Sequence, residues 1–371
     1  MKTLRPALTL ALLTPLGLLA PAATSTAYAD EAGEGSWLDN FSANLAVDGF
    51  YMADWNAPAN PQAAMNVPHR AFDFTQGFAL AFGIVDVAYE TENFGATINL
   101  RFGKGADLLI GQSDPYFSIL KQAYATWKPT DSITLDLGQF DTIYGAEVAD
   151  SWQNLNYTRG ALYFLMQPFY HTGLRVGVQA SDTVGLTFLV VNGTNPNNLD
   201  NNQSPHLGAQ ISLSPSDELF LALGYYVGAG SSGFGGGDPL SDDNFEHFID
   251  LVINATLGPI TLVGNVDFYA LPDADATYGG ASLAAGLALT DEFGLALRGE
   301  YLIDPDLFIS GAYKGLGTLT FTVDYRPIKN VIIRLDNKLE IASRDIYAAG
   351  TSDVQNTWFA STLGLVVATN P

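Results

Sequence analysis

The sequence predicts an all-β fold: a transmembrane antiparallel β-barrel of about sixteen strands, with short periplasmic turns and long extracellular loops. Three observations carry that expectation. Strand-length segments alternate apolar and polar side chains, and the connections between them alternate short and long. Beyond the N-terminus, no apolar run approaches the about 18 residues that a membrane helix needs.

Composition narrows the class further. The chain has 371 residues, no cysteine, and a formal charge of −23 from 16 Lys+Arg against 39 Asp+Glu. Charged residues make up 15%, against roughly 25% in an ordinary soluble domain. Aromatics reach 12%, which argues against a disordered acidic tail. Nucleic acid is not an expected partner, because phosphate neutralisation needs clustered Lys and Arg. Without thiols, a disulfide scaffold and a Cys-ligated metal are excluded.

The N-terminus reads as a secretory signal. Lys2 and Arg5 precede an apolar run from Ala7 to about Ala20, and Ala27-Tyr28-Ala29 forms a small-x-small cleavage site before Asp30 and Glu31. We therefore expect residues 1–29 to be a signal peptide and residues 30–371 a single barrel domain. Cleavage would leave 342 residues with 14 basic and 39 acidic side chains, a net charge of −25.

Along the rest of the chain the alternation is explicit. In 331–341, Ile333, Leu335, Leu339 and Ile341 share a face with Asn337, while Arg334, Asp336, Lys338 and Glu340 occupy the other. Four inward charges cannot belong to a dry sandwich core, where unpaired buried charge is too costly, so one face must meet lipid and the other water. The same pattern sets Leu319, Phe321, Val323 and Tyr325 against Thr318, Thr320, Thr322 and Asp324. It sets Leu295, Leu297, Tyr301 and Ile303 against Arg298 and Glu300, Ile98, Leu100 and Phe102 against Arg101, and Ile249, Leu251 and Ile253 against Asp250.

Short polar turns fall near Glu92, Thr130, Asp182, Pro215, Pro259, Asp291 and Ile328. Longer Gly-, Asn- and Asp-rich connections fall near 55–76, 104–116, 145–168, 194–204, 230–244, 271–278, 304–313 and 343–355. The resulting strands are 42–54, 77–90, 94–103, 117–128, 132–144, 170–180, 184–193, 206–213, 218–229, 245–257, 260–270, 279–289, 293–303, 314–326, 330–342 and 356–368, with 14 or 18 strands as alternatives. A barrel of about sixteen strands leaves an aqueous lumen, whereas about eight fill with side chains. The connection 145–168, with Trp152, Tyr157, Phe164 and Pro168, either folds inward and narrows that lumen or packs on the rim. The pore-lining and constriction candidates are Arg101, Glu147, Asp150, Arg159, Arg175, Asp250, Arg298, Glu300, Arg334, Asp336, Lys338 and Glu340. Within that set, Arg101, Arg175, Arg298, Arg334 and Lys338 form a basic row across from Glu147 and Asp150 on the loop.

Four motifs in order resemble a known family. These are Lys121-Gln122-Ala123-Tyr124-Ala125-Thr126-Trp127, then Gly138-Gln139-Phe140-Asp141-Thr142-Ile143-Tyr144-Gly145-Ala146-Glu147, then Asn154-Leu155-Asn156-Tyr157-Thr158-Arg159, then Pro168-Phe169-Tyr170-His171-Thr172-Gly173-Leu174-Arg175. Over about 117–180 they are similar to the β-barrel porin family, type 2, OmpL-like. The resemblance implies an outer-membrane channel and carries no catalytic residues. It implies passive diffusion of small hydrophilic solutes and ions, with outer-membrane lipids and the barrel-assembly machinery as partners and a homotrimer as the possible assembly. Barrels commonly end on an aromatic residue that this machinery reads; here the chain ends Leu365-Val366-Val367-Ala368-Thr369-Asn370-Pro371. The acid excess points to a mild cation preference. A substrate-specific transporter and a non-channel adhesin or structural barrel are the alternatives.

Other chemistry is weakly signalled, and no enzyme activity, cofactor or metal is expected. Gly228-Ala229-Gly230-Ser231-Ser232-Gly233 matches G-x-G-x-x-G, but no helix can follow it through Phe234-Gly235-Gly236-Gly237-Asp238-Pro239. His69, His171, His206 and His247 lack zinc spacing. A hydrolytic pair of His171 with Asp141 or Glu147 is set against a hydrogen-bonded structural histidine. Asp242/Asp243, Asp273/Asp275 and Asp304/Asp306 read as solvated loop charge, since none matches an EF-hand loop.

Overall fold

The computed structural model describes residues 37–59, 76–109, 119–193, 204–229 and 245–370. The signal segment, His69, Asp242/Asp243, most of the glycine-rich motif after Ala229 and large parts of four long connections lie outside the described residues. The barrel strands are β1 (Phe41–Asp54), β2 (Gly77–Glu90), β3 (Phe94–Phe102), β4 (Leu120–Thr130), β5 (Ile133–Asp141), β6 (Tyr170–Ser181), β7 (Val184–Val191) and β8 (His206–Ser216). They continue as β9 (Leu219–Ala229), β10 (Phe245–Leu257), β11 (Ile260–Leu271), β12 (Ala276–Ala288), β13 (Phe293–Ile303), β14 (Gly315–Ile328) and β15 (Val331–Ala342). A small hairpin, β16 (Tyr347–Ala349) with β17 (Asp353–Gln355), precedes the last barrel strand, β18 (Thr357–Ala368).

Each barrel strand pairs antiparallel with its chain neighbours, and β18 pairs with both β15 and β1, which closes a barrel of sixteen strands. No helix among the described residues is long and apolar enough to cross a membrane.

The expected register holds. On β15, Leu335 is 39% exposed outside, whereas Arg334, Asp336, Lys338 and Glu340 are each at most 2% exposed inside. Leucine, isoleucine, phenylalanine and valine coat the outer face, as with Phe188, Ile211, Leu223, Ile249 and Phe268. Without water inside a bilayer, only a closed sheet satisfies every strand amide, and this outer coat is its lipid-facing surface.

Three departures from the sequence expectation have physical causes. β12 begins at Ala276, because Ala276, Thr277 and Tyr278 extend the ladder with Leu271, Ala270 and Tyr269. The connection before it shrinks to 272–275, with Asp275 turning the chain in the left-handed region at φ 50°. β5 stops at Asp141, since the chain from Thr142 bends into the lumen, and β4 starts at Leu120. The 343–356 connection also carries the unanticipated hairpin β16–β17.

Candidate pore constriction

The connection 142–169 runs inside the barrel. Its short helix α1 (Ala161–Met166) buries Ala161, Leu162, Tyr163, Leu165 and Met166. Tyr269, Phe248 and Tyr278 form a stacked aromatic row beneath it, with centroids 4.4 and 4.8 Å apart, and Tyr269 Oη donates to the Met166 carbonyl at 3.0 Å. The Glu300 carboxylate accepts from the Ala161 and Leu162 N–H groups, both at 3.2 Å, and so caps the helix start where free amides favour an anion. Gly160 leaves room for it, as a Cβ there would lie 1.9 Å from Glu300 Oε1.

Charge holds one side of this loop. Asp150 accepts from Arg101 Nε and Nη2 and from Lys121 Nζ, all at 3.0 Å. Arg101 also reaches Asp86 at 2.5 Å, and Lys121 reaches Asp141 at 2.8 Å. Burial works to raise the Asp150 carboxyl, but Lys121 and Arg101 outweigh it and hold this loop-borne group well below the usual carboxylate range. On the opposite side, Arg298 pairs with Glu147 and donates to the Thr158 carbonyl at 2.7 Å. Arg334 donates to the carbonyls of Ser151 and Asn154 at 2.6 and 2.8 Å while pairing with Asp324 at 2.9 Å. Asp336 accepts from the N–H groups of Tyr157 and Thr158 at 3.2 and 2.7 Å.

Shape holds it as well. Tyr157 lies against Gly364 on β18, where a Cβ would fall 2.2 Å from its ring, and Tyr144 lies 2.6 Å from the Cβ position of Gly224 on β9. Leu155 and Leu162 fill the corresponding spaces at Gly286 and Gly280, at 2.8 and 2.6 Å. Wall glycines thus act as sockets for loop side chains.

The expected site residues fall into four neighbourhoods. Arg101, Asp150, Glu147, Arg298, Glu300, Arg334 and Asp336 meet at the loop. Arg159 is enclosed by loop carbonyls, donating to those of Val148 (3.1 Å), Tyr157 and Ala149, and Lys338 reaches the Arg159 carbonyl at 3.4 Å and Glu340 at 3.0 Å. Glu340 also accepts from Tyr347 of the hairpin at 3.0 Å. Asp250 touches the loop through Asn265, whose Nδ2 donates to it at 2.9 Å while its Oδ1 accepts from Ala146 at 3.1 Å. Arg175 stands apart, pairing with Asp136 at 2.9 Å and lying over the Phe140 ring at 4.6 Å. Together with Thr97, Tyr124, Thr126 and Lys128 it lines a cavity of about 190 Å³.

Lys121, Asp48 and Asn265 complete the site and were absent from the expected set. Lys121 is the residue skipped where pairing shifts from Asn99↔Gln122 to Leu100↔Leu120, and that bulge turns it inward. Asp48 accepts from Tyr157 Oη and Ser151 Oγ, both at 2.6 Å. Asn265 shares the inward face of β11 with Thr261, Asp267 and Tyr269, and their alternation with Leu262, Val266 and Phe268 was a usable signal. The hydrolytic pairing at His171 is not formed, for its Nε2 bonds Thr142 Oγ1 at 3.1 Å and its Nδ1 the Gly193 carbonyl at 3.0 Å. Among the described residues, no group of three or more His, Asp or Glu is placed to hold a metal ion.

A closed, lipid-coated barrel with a charged lumen and an inward loop is the architecture of an outer-membrane porin. The chain belongs to the family described as "Putative beta-barrel porin-2, OmpL-like", which matches residues 40–368. In fold it is similar to the outer membrane channel DcaP of Acinetobacter baumannii, with TM-score 0.61, 10% identity, and 88% of this chain and 96% of that one covered. It is likewise similar to an anion-selective porin from Comamonas acidovorans, with TM-score 0.59, 10% identity, and 88% and 99% covered. The trimer form of OmpT from Vibrio cholerae gives TM-score 0.58, 10% identity, and 88% and 98% covered. No curated protein matches the chain. Family and fold together place this porin in the outer membrane.

Proposed function

We propose that the chain forms a narrow water-filled channel for passive diffusion of small hydrophilic solutes and ions, with loop 142–169 as its constriction and a mild preference for cations. The proposal includes export by a cleaved signal at residues 1–29, long connections on the extracellular side, and a homotrimer such as the one OmpT forms. The observation that carries it is the loop itself, gripped across the lumen by both acids and bases. The bases are committed to carboxylates or carbonyls. Several acids are met only by neutral donors: Asp48 by hydroxyls, Asp336 by amides and hydroxyls, and Asp250 and Asp267 by Asn265. The lumen therefore keeps a negative bias, which raises the local cation concentration. Screening over about 8–10 Å near physiological ionic strength weakens that bias, so the preference grows as salt falls. Planar-bilayer recordings test both parts: small unitary currents are expected, with a cation-favouring reversal potential across a potassium chloride gradient. A chloride-favouring potential at low salt overturns the preference, and an absence of current overturns the channel.

A further inference from the structure

Asp250 on β10 and Asp267 on β11 stand directly opposite each other in the register, 0% and 1% exposed. Asn265 Nδ2 donates to one oxygen of each, at 2.9 and 3.0 Å. The remaining oxygens, Asp250 Oδ2 and Asp267 Oδ2, receive no donor, and the two carboxyls lie within hydrogen-bonding reach of each other. Neither makes an ion pair among the described residues. Facing them from the neighbouring strands are Gly224 on β9 and Gly280 on β12. The loop contributes Tyr144, the Gly145 N–H and Gln167. Along the same two strands stand Glu246 and Tyr269, with the Tyr226 hydroxyl beside them on β9. None of these supplies a positive charge. Ionised carboxylates only accept hydrogen bonds, so two opposed at this depth require a cation between them, and a proton is the one that needs no further ligands.

We propose that Asp250 and Asp267 bind one shared proton, as an O–H···O⁻ pair, and that this proton latches loop 142–169 to the wall. The link to the loop is Asn265. Held by both carboxyls through Nδ2, it presents Oδ1 to the Ala146 N–H at 3.1 Å and to the Gln167 side chain at 2.5 Å. Those two residues lie at the entry and exit of the loop, so one amide clamps both roots. Gly145, at φ +85°, immediately precedes Ala146, with Gln167 in the space a Cβ would take. Removing the proton leaves two like charges side by side. They separate, Asn265 can no longer serve both, and the clamp opens.

The effect on current rests on the channel reading above, whereas the latch itself is read from loop mobility. The chain lacks cysteine, so Gln153→Cys on the exposed side of the loop gives a single site for a nitroxide label in the refolded full-length protein. Between about pH 5 and pH 10, a range wide enough for perturbed carboxyls, the label is expected to pass from immobile to mobile. Unitary conductance is expected to rise about twofold or more over the same interval. Asp267→Asn supplies a permanent donor, so both changes are expected to vanish and the label to stay immobile; Asp250→Asn is the second variant. Infrared difference spectra of the unmodified chain are expected to lose a protonated-carboxyl stretch with the same midpoint. A mobility step that survives Asp267→Asn or Asp250→Asn, a label that never mobilises, or a missing carboxyl band overturns the latch. Mobility without current at any pH overturns the channel reading and leaves the latch standing.

Discussion

Loop 142–169 is gripped in two ways that differ in kind. Near β3 and β4, Asp150 is held by Arg101 and Lys121, a grip made of charge. At β9, β12 and β18, Tyr144, Leu155, Leu162 and Tyr157 sit where wall glycines omit a side chain, a grip made of shape. The first depends on protonation and on partner identity. The second depends only on volume, and a single methyl group is enough to contest it. A change of protonation can reach the first grip, whereas only a change of residue reaches the second.

The broadest expected effect, on whether the barrel inserts at all, tests what both grips presuppose, that even-numbered residues of β15 face inward. Leu335→Arg should block insertion, since a mid-membrane Arg on the lipid face costs about 2–4 kcal/mol. Asp336→Arg should still insert but should displace the loop, because Asp336 receives the amides of Tyr157 and Thr158. Heat-modifiable migration after refolding reads insertion, and equal insertion by the two variants would shift the register by one residue.

Next is the grip of charge. Arg298→Met leaves the Glu147 and Glu300 carboxylates buried without their cation, a loss of roughly 3–5 kcal/mol for a broken buried pair. It should lower the thermal midpoint of the loop-ordered barrel and enlarge the unitary current. An unchanged midpoint would mean that water reaches this pair.

Filling a socket should act by roughly 1–3 kcal/mol of overpacking. Gly364→Leu should expel Tyr157 and raise conductance while the barrel still forms. Gly299→Leu is the matched control, for the nearest atom to its Cβ is Leu319 Cδ1 at 4.0 Å. Conductance changes of equal size in the two variants would remove the glycines from the mechanism.

Acid should do least. Asp150 is held below the ordinary carboxylate range, so its contribution is fully present above the unfolded value of about 4 and is lost only as pH falls through the lower folded value. At about pH 4 the conductance of the wild-type channel should match that at about pH 5, where the Asp250–Asp267 pair still holds its proton. A step near the ordinary carboxylate value would show that Asp150 is not clamped as described.

Much of the wall was legible in the sequence because alternation is enforced by the two solvents it separates. Arg334, Asp336, Lys338 and Glu340 can face only water, and that one strand sets the sense of the rest. Strand ends were less legible where ladder pairing overrides composition. Ala276, Thr277 and Tyr278 look like loop until Leu271, Ala270 and Tyr269 are placed beside them. The constriction was half legible. Glu147 and Asp150 were readable as loop acids, but not the bulge that turns Lys121 toward them, since a bulge follows from pairing and not from residue type. Arg159, to all appearance a lumen charge, spends its guanidinium on carbonyls of its own loop. The glycine sockets carried no signal, because a glycine that receives a side chain is indistinguishable in sequence from one that merely relaxes a strand.

Tyr157 touches the first and the last strands of the barrel at once, donating to Asp48 on β1 at 2.6 Å and lying over Gly364 on β18. Its seat is therefore divided between the two ends of the chain and does not exist until those ends meet. During biogenesis the loop, made midway, must wait for the final strand before it can settle. Such non-local contacts form late, because the intervening chain must first be closed into a ring. A barrel that stalls open would keep its loop adrift, whereas one that seals would draw the loop across the seam and fasten it from within.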